Sequence, residues 1–480
     1  MYSKGLHSSG SSFPRLLGSA AGFGLGAAVA LWLGGRDEEA PAQRPAEVDR
    51  EEKAHRVLVV GAGLTGTLTA AQLRKEWPSS LPPLHLTVWE RATYPAGRFG
   101  AAAVHGGALA DMGAQVLSIV DVDDDHRDAG NGGHGIPLRA IDFAKGEVSR
   151  LKACGLLVEV DDAHLGATEE RMLWSGIWKH HYAQGGLVSV LRAYLAEAKP
   201  DATCFGRRVL RVARCPATGD AGSAWQATAS AKVQGASTSS TAQGEVTEAF
   251  DSVVMCIPAP DALCIDGVSD ALPATSVNIL SAVGYDSRAS AVVFFHADLQ
   301  PSLRALFGDS SEIALDLDLE GSGGRWPSER RKKGEESELH LLIWQGQKRA
   351  PNSSCAVVAH SVPCGDRTSA EEQAHLMVPA MYEALSALLG LPVEELRSRT
   401  LASKTIAWAV SQMIRPMEAV VDPVPDIACL ESDEDAAKGG KLVVAGDFMT
   451  QSSFLGCVGS ALQASDVIIR GAAEYEARGR

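Results

Sequence analysis

Arg56-Val57-Leu58-Val59-Val60-Gly61-Ala62-Gly63-Leu64-Thr65-Gly66 is the stretch on which the fold turns, and Thr67 with the run LTAAQL at 68–73 follows it directly. Residues 56–60 read as a strand and 68–73 as the body of a helix, the context that lifts G-x-G-x-x-G above a chance match. Gly61 permits the tight turn, Gly63 lets the backbone approach a pyrophosphate, and Gly66 lets the helix pack closely on the strand. Ala62, Leu64 and Thr65 complete a turn whose helix N-terminus offers unpaired N–H groups and the positive end of the helix dipole to phosphates. A second strand, read at 84–89, ends at Glu90, placed to accept a hydrogen bond from an adenosine ribose hydroxyl. An acid there disfavours a 2′-phosphate, and it argues against a glycine turn that binds nothing. Arg91 is grouped with these cofactor-binding residues.

Length and composition frame this unit. The 480 residues suit two interleaved domains behind an N-terminal appendage, and 45% apolar with 21% charged residues is ordinary for a globular chain. A formal net charge of -15 argues against nucleic-acid binding. The one strong basic run, Arg330-Arg331-Lys332-Lys333, lies between Gly-rich and Glu-rich stretches and reads as a solvated loop. The nine cysteines are scattered and never spaced C-x-x-C, which predicts reduced, mostly buried thiols and no structural metal. His134, His180 and His181 fall in no metal-binding spacing.

Residues 16–35 carry no charge over a length that matches the roughly 20 residues a membrane-spanning helix needs. Lys4 and Arg15 precede this run, and Arg36 is followed by Asp37, Glu38 and Glu39. A signal-anchor, a secretory peptide cleaved near Ala28-Val29-Ala30 and an organelle leader all suit that pattern, so a membrane-anchored, secreted or organellar location is open. Residues 37–54, rich in Glu, Pro, Ala and Arg, read as a linker.

Beyond Glu90 the chain reads ERATYPAGRFG and then ALADMGAQVLSIV, and near its end KLVVAGDFMTQSSFLGCVGSALQASDVI. Together these resemble the amine-oxidase branch of FAD enzymes. The segments FGRRVLRV, FDSVVMCIPAP, YDSRASAVVFF and WAVSQM, in that order, resemble one kind of member most closely, an FAD oxidase of dihydronicotinamide isomers. The resemblance implies noncovalent FAD, with Arg98 reaching the pyrophosphate, Gln115 and Val116 beside the flavin, and Val209 presenting backbone groups to adenine. It places Gly446 and Asp447 at the ribityl chain. It aims the start of the last helix, with Gly456, Cys457 and Val458, at the flavin pyrimidine. Ala96 stands where the family has the first of two glycines, so this turn must hold a conformation that an L-residue tolerates. Cys457 lacks the sequence context of flavin-linked cysteines and reads as a small packing residue.

The fold class expected is α/β: a Rossmann-like FAD-binding domain of the amine-oxidase/glutathione-reductase type with an interleaved α+β substrate domain. Residues 1–55 are the targeting or anchor segment and linker; 56–120, 186–260 and 440–470 the FAD-binding domain; 121–185 and 261–439 the substrate domain. A helix is expected at 186–198 and another at 370–389. Strands are expected at 209–213, 225–233 and 252–257, and β-rich stretches at 281–299 and 339–362. Residues 121–137, 236–244, 320–338 and 426–440 read as surface insertions.

The resemblance implies an oxidase that returns 2- or 6-dihydroNAD(P) to β-NAD(P)+, with a dihydronicotinamide dinucleotide and O2 as small-molecule partners and hydrogen peroxide as product. Tyr285, Trp408 and Gln412 are the substrate-side candidates, although WAVSQM lacks the basic residue that follows the tryptophan in the related enzyme. An FAD-dependent amine oxidase, with Lys404 as its candidate lysine, is the second reading. A non-enzymatic binding or signalling protein that retains FAD is the third.

Overall fold

The computed structural model describes residues 54–103, 108–120, 138–160, 178–215, 224–231, 244–308, 312–314, 339–346, 348, 355–364, 369–415 and 440–479. The apolar segment at 16–35, the basic run at 330–333, the insertions at 121–137 and 320–338, nearly all of those at 236–244 and 426–440, His134 and Cys429 lie outside the described residues. Among the described residues no helix is long and apolar enough to cross a membrane. Everything described below belongs to the compact unit Glu52–Arg480.

His55–Val60 is the middle strand of a five-stranded parallel sheet, as a strand opening a nucleotide-binding unit should be. Ser252–Met255 and Leu442–Val444 lie on one side of it, Leu84–Glu90 and Ala202–Phe205 on the other. Successive side chains point to opposite faces, and both faces are covered, so the run is apolar without alternating. Val57 and Val59 enter a core built with the helices Leu64–Glu76, Val188–Ala198 and Phe454–Gly479. Leu58 and Val60 enter a second core under a three-stranded antiparallel sheet, Arg207–Arg214, Trp225–Ala231 and Gly244–Phe250.

The second large sheet is antiparallel, in the order Glu312–Ala314, Leu339–Trp344, Ala356–Ser361, Arg288–Phe295, Thr400–Trp408. Its period-two pattern again divides two environments. Ala289, Ala291, Val293 and Phe295 pack in a core with the helix Ala370–Leu389, whereas Val292 and Phe294 pack with Ala102, Ala110 and Met112. That helix starts with a capping box: Ser369 Oγ accepts from Glu372 N (3.2 Å), and Ser369 N donates to Glu372 Oε2 (3.0 Å).

Several expected elements shift in extent. The expected β-rich run at 281–299 is strand only at Gly284–Tyr285 and Arg288–Phe295; its ends belong to the helix Ala274–Ala282 and a short helical turn at Ala297–Leu299. The last helix continues to Gly479, past the expected limit of 470. The assignment of 121–185 to the substrate domain is corrected for its described part. Ala140, Ala144, Val148 and Leu151, on one face of the helix Leu138–Ala153, pack with Leu157 and Ala183 in the same core as Val57 and Val59. Val268, Leu272 and Leu280, from the stretch expected in the substrate domain at 261–439, likewise share the core of Leu58 and Val253. Nor are the thiols mostly buried: of the eight described cysteines only Cys256 and Cys457 are, and Cys154 and Cys264 are exposed.

Two glycine substitutions separate packing from propensity. A Cβ on Gly66 would lie 1.9 Å from the Gly61 carbonyl oxygen, so Gly66→Ala must push the first helix off its strand. Gly146 has nothing within 4 Å of its would-be Cβ and sits inside the helix Leu138–Ala153. Chemical denaturation should show Gly66→Ala destabilised by about 3 kcal/mol or more, and Gly146→Ala stabilised by about 0.5–1 kcal/mol.

Candidate functional site

A cavity of about 860 Å3 runs from the carboxyl ends of the parallel strands to the edge of the antiparallel sheet. At its first end Gly61 holds φ +98°, and a Cβ there would meet the Cys256 carbonyl oxygen at 2.6 Å. Gly63 caps the first helix with ordinary extended backbone, and only Gly97 Cα comes within 4.0 Å of its would-be Cβ. Gly97 holds φ +51°, whereas Ala96 holds φ -152°, so the second glycine takes the left-handed position and an L-residue is tolerated at the first. Glu90 is buried, and its carboxylate is fixed by Ala62 N on Oε2 and Ala92 N on Oε1, both at 2.7 Å. Each oxygen keeps a further lone pair for a ribose hydroxyl.

These features fit a dinucleotide. The cavity has the volume for a large ligand, Gly63 leaves open the space that a side chain would fill, and the acid is already aimed and partnered. Gly61, Gly63, Leu64, Thr65, Glu90 and Arg91 line this end, with Val209 on the wall formed by the three-stranded sheet. Ala62 and Gly66 act from behind: Ala62 holds Glu90, and Gly66 lies against the Gly61 carbonyl. Arg91 reaches Asp261 at 3.2 Å.

Midway along the cavity stands an ion pair between two residues expected to hold different parts of FAD. Arg98 donates to both oxygens of Asp447, from Nη2 at 2.6 Å and Nη1 at 2.7 Å, and Nη1 also reaches Ser411 O and Ser452 Oγ at 3.2 Å. Burial opposes the Arg98 charge, but Asp447 more than offsets it, and the guanidinium pKa is raised. Gly446 and Cys457 line the cavity beside this pair, whereas Gly456 and Val458 lie behind it. A Cβ on Gly456 would meet the Gln451 carbonyl at 2.1 Å, and Val458 is a core residue. Burial pushes the Cys457 thiol up to about 12, which leaves it protonated and suited to packing.

The far end is lined by the antiparallel sheet. Its register puts Arg288 opposite Trp408 and Ser290 opposite both His360 and Ile406, so three adjacent strands present these side chains together. Trp408 Nε1 donates to Ser290 Oγ at 3.0 Å. His360 Nε2 lies 3.1 Å from the Met112 carbonyl, so that nitrogen carries the proton and Nδ1 the lone pair. Burial pushes the His360 pKa down to about 3 against the pull of that carbonyl, so the ring stays neutral near neutral pH.

Of the substrate-side candidates, Trp408 and Gln412 line the cavity and Tyr285 does not. Tyr285 packs instead, half-buried, against the core of Leu58 and Val253, close enough to Asp447 and Arg98 to feel their charges. Val116 lines the cavity, but Gln115 turns inward. Gln115 Nε2 donates to Asp111 O (2.7 Å) and Gly113 O (2.9 Å), and its backbone carbonyl accepts from Lys348 Nζ at 3.1 Å. Lys404 is exposed and does not line the cavity. Arg288, Ser290, His360 and Lys348 were not singled out by sequence reasoning. The period-two spacing of Arg288 and Ser290 in YDSRASAVVFF was the available signal for the first two; His360 and Lys348 had none.

Two substitutions probe this half of the site. Gly63→Ala is compatible with its backbone and meets no clash, so it should leave the melting temperature of the apoprotein nearly unchanged while lowering the flavin retained on purification. Arg98→Ala leaves the Asp447 carboxylate, 4% exposed, without its cation. Urea denaturation should show a loss of about 1–3 kcal/mol, part of which Arg98→Ala/Asp447→Ala recovers.

Comparison with known proteins agrees with this architecture. A model of the NAD(P)-binding Rossmann-like domain matches residues 59–129. Renalase from Mus musculus is 24% identical over 429 residues, spanning 86% of this chain and 99% of that protein. A crystal structure from Exiguobacterium sp. 255-15, provisionally named a protoporphyrinogen oxidase, superposes with a TM-score of 0.51 at 12% identity, covering 87% of this chain and 99% of the other. The chain therefore has an α/β fold with a Rossmann-like parallel sheet, of the kind found in that oxidase structure.

Proposed function

We propose that this protein is an FAD-dependent oxidoreductase, similar to renalase, that oxidises 2- or 6-dihydroNAD(P) to β-NAD(P)+. The similarity to Renalase over most of both chains supports a flavoprotein oxidoreductase. Gly61, Gly63, Glu90 and the first helix N-terminus would hold the adenosine and phosphates, and Asp447 with the start of the last helix the remainder. FAD, when bound, accepts a hydride from a substrate carbon and passes two electrons to dioxygen, giving hydrogen peroxide.

The observation that carries the choice of substrate is that the described residues offer no effective base at the far end. A protonated amine must lose a proton before its carbon can release hydride, and this requires a base matched to it. His360, with a pKa near 3, is too weak a base, and Lys404 is exposed and outside the cavity. A 2- or 6-dihydropyridine becomes aromatic on losing hydride alone and needs no base. This chain's task is then to orient a flat ring against Trp408 and to exclude water.

Anaerobic mixing of the purified yellow protein with each compound class tests the reading by flavin bleaching. Fast bleaching is expected with 2- or 6-dihydroNAD(P), little with 4-dihydroNAD(P)H or catecholamines, and hydrogen peroxide on admitting air. Rapid bleaching by an amine with none by the dihydro isomers would favour the amine-oxidase reading.

A further inference from the structure

Among the described residues, Arg288 is the one permanently charged side chain that the antiparallel sheet contributes to the cavity wall. It is held from behind. Its Nε donates to Asp286 Oδ2 at 2.7 Å, and Asp286 Oδ1 accepts from Gln412 N at 2.8 Å, so both carboxylate oxygens are engaged in fixing the fork. Asp286 is 6% exposed at its side chain, Arg288 21%. The two terminal amino groups of Arg288 make no hydrogen bond to protein among the described residues. Beside it Ser290 Oγ accepts from Trp408 Nε1, which leaves the hydroxyl hydrogen of this buried serine for another acceptor. The far end of the cavity therefore offers a rigid guanidinium edge and one hydroxyl donor, next to an indole.

Donors of this kind, with no acceptor among the described residues, match the oxygens of an anion. A guanidinium whose Nε is already anchored presents its two amino groups as a planar pair, the geometry that recognises carboxylate or phosphate through two parallel hydrogen bonds. Cofactor phosphates would have a separate place at the helix N-terminus beside Gly63, which the parallel-sheet unit contributes to the cavity. We propose that Arg288, oriented by Asp286 and assisted by Ser290, forms an oxyanion subsite that anchors a phosphate or carboxylate group carried by the substrate. This rests on the flavin reading only in giving the first end of the cavity to the cofactor. It makes Arg288 a specificity-determining residue: it selects anionic over neutral substrates and takes no part in hydride transfer.

The test uses the full-length flavin-loaded protein and its Arg288→Gln and Arg288→Lys variants, with equal flavin content confirming an intact cofactor site. Calorimetric titration with inorganic pyrophosphate and with nicotinate measures anion binding without turnover. At least one probe should bind the parent protein, more weakly at high salt, and Arg288→Gln should raise its Kd about tenfold or more while Arg288→Lys is intermediate. Binding of pyrophosphate alone marks a phosphate subsite, and of nicotinate alone a carboxylate subsite. Failure of both probes to bind the parent, or equal binding to Arg288→Gln, overturns the proposal. Anaerobic reduction by a 2-dihydronicotinamide dinucleotide and by its uncharged riboside separates the two readings. If neither bleaches the flavin while anion binding still depends on Arg288, the substrate assignment fails and the subsite stands. If both do, and Arg288→Gln raises the half-saturating concentration of dinucleotide and riboside alike, the subsite fails and the substrate assignment stands.

Discussion

The ion pair of Arg98 with Asp447 joins parts of the chain 349 positions apart, and the site depends on it. Arg98 belongs to the turn after the second parallel strand, and Asp447 to the turn after the strand Leu442–Val444 at the sheet edge. The pair closes the two ends of the chain over one cavity. A third segment is drawn in because Arg98 Nη1 also reaches Ser411 O, and the neighbouring Gln412 N is bonded to Asp286. One run of polar contacts thus extends from Asp447 through Arg98, Ser411 and Gln412 to Asp286 and Arg288. With only 4% of its side chain exposed, Asp447 requires that cation, since an unpartnered buried carboxylate is costly.

The antiparallel sheet supplies the other wall through its register. Because side chains alternate, Ala289, Ala291 and Val293 can secure the sheet to the helix Ala370–Leu389 while Arg288, Ser290 and Trp408 face the cavity. A slip of one residue would exchange these sets and send the arginine into an apolar core. The large buried surface behind the sheet therefore fixes the placement of a few polar groups at its edge.

Several residues that gather at the first end of the cavity were legible in the sequence because their signals are local. Gly61, Gly63, Gly66 and Glu90 lie within one βαβ unit, where spacing and backbone requirement coincide. The long helix Ala370–Leu389 was legible for the same reason. What escaped is set by pairing across distance. Gln115 lies in a motif that resembles flavin contacts, yet its side chain is met by Lys348 and Gln345, more than two hundred residues away. Tyr285 and Trp408 read alike as aromatics near a site, and only the sheet register and the second core tell them apart. The placing of 138–160 was misjudged because an amphipathic helix declares that one face is buried, not which core will receive it.

Lys348 shows how far such pairing reaches. It is 4% exposed, and a buried ammonium is tolerated only where its donors are met. The Gln115 carbonyl and side-chain oxygens accept from it, and the Tyr182 ring lies 5.1 Å away. Gln345 Nε2 also donates to Gln115 Oε1, at 3.0 Å, so the side chain is held inward, and Gln115 in turn bonds the carbonyls of Asp111 and Gly113. The turn so fixed lies directly on the Arg98 backbone: Ala114 N donates to Arg98 O at 2.9 Å, and a Cβ on Gly113 would meet the same oxygen at 2.0 Å. Arg98 is therefore positioned from two sides, by Asp447 at its guanidinium and by the Lys348-held turn at its main chain. Gln115 takes part in the site by shaping the loop whose neighbours Ala114 and Val116 form the wall.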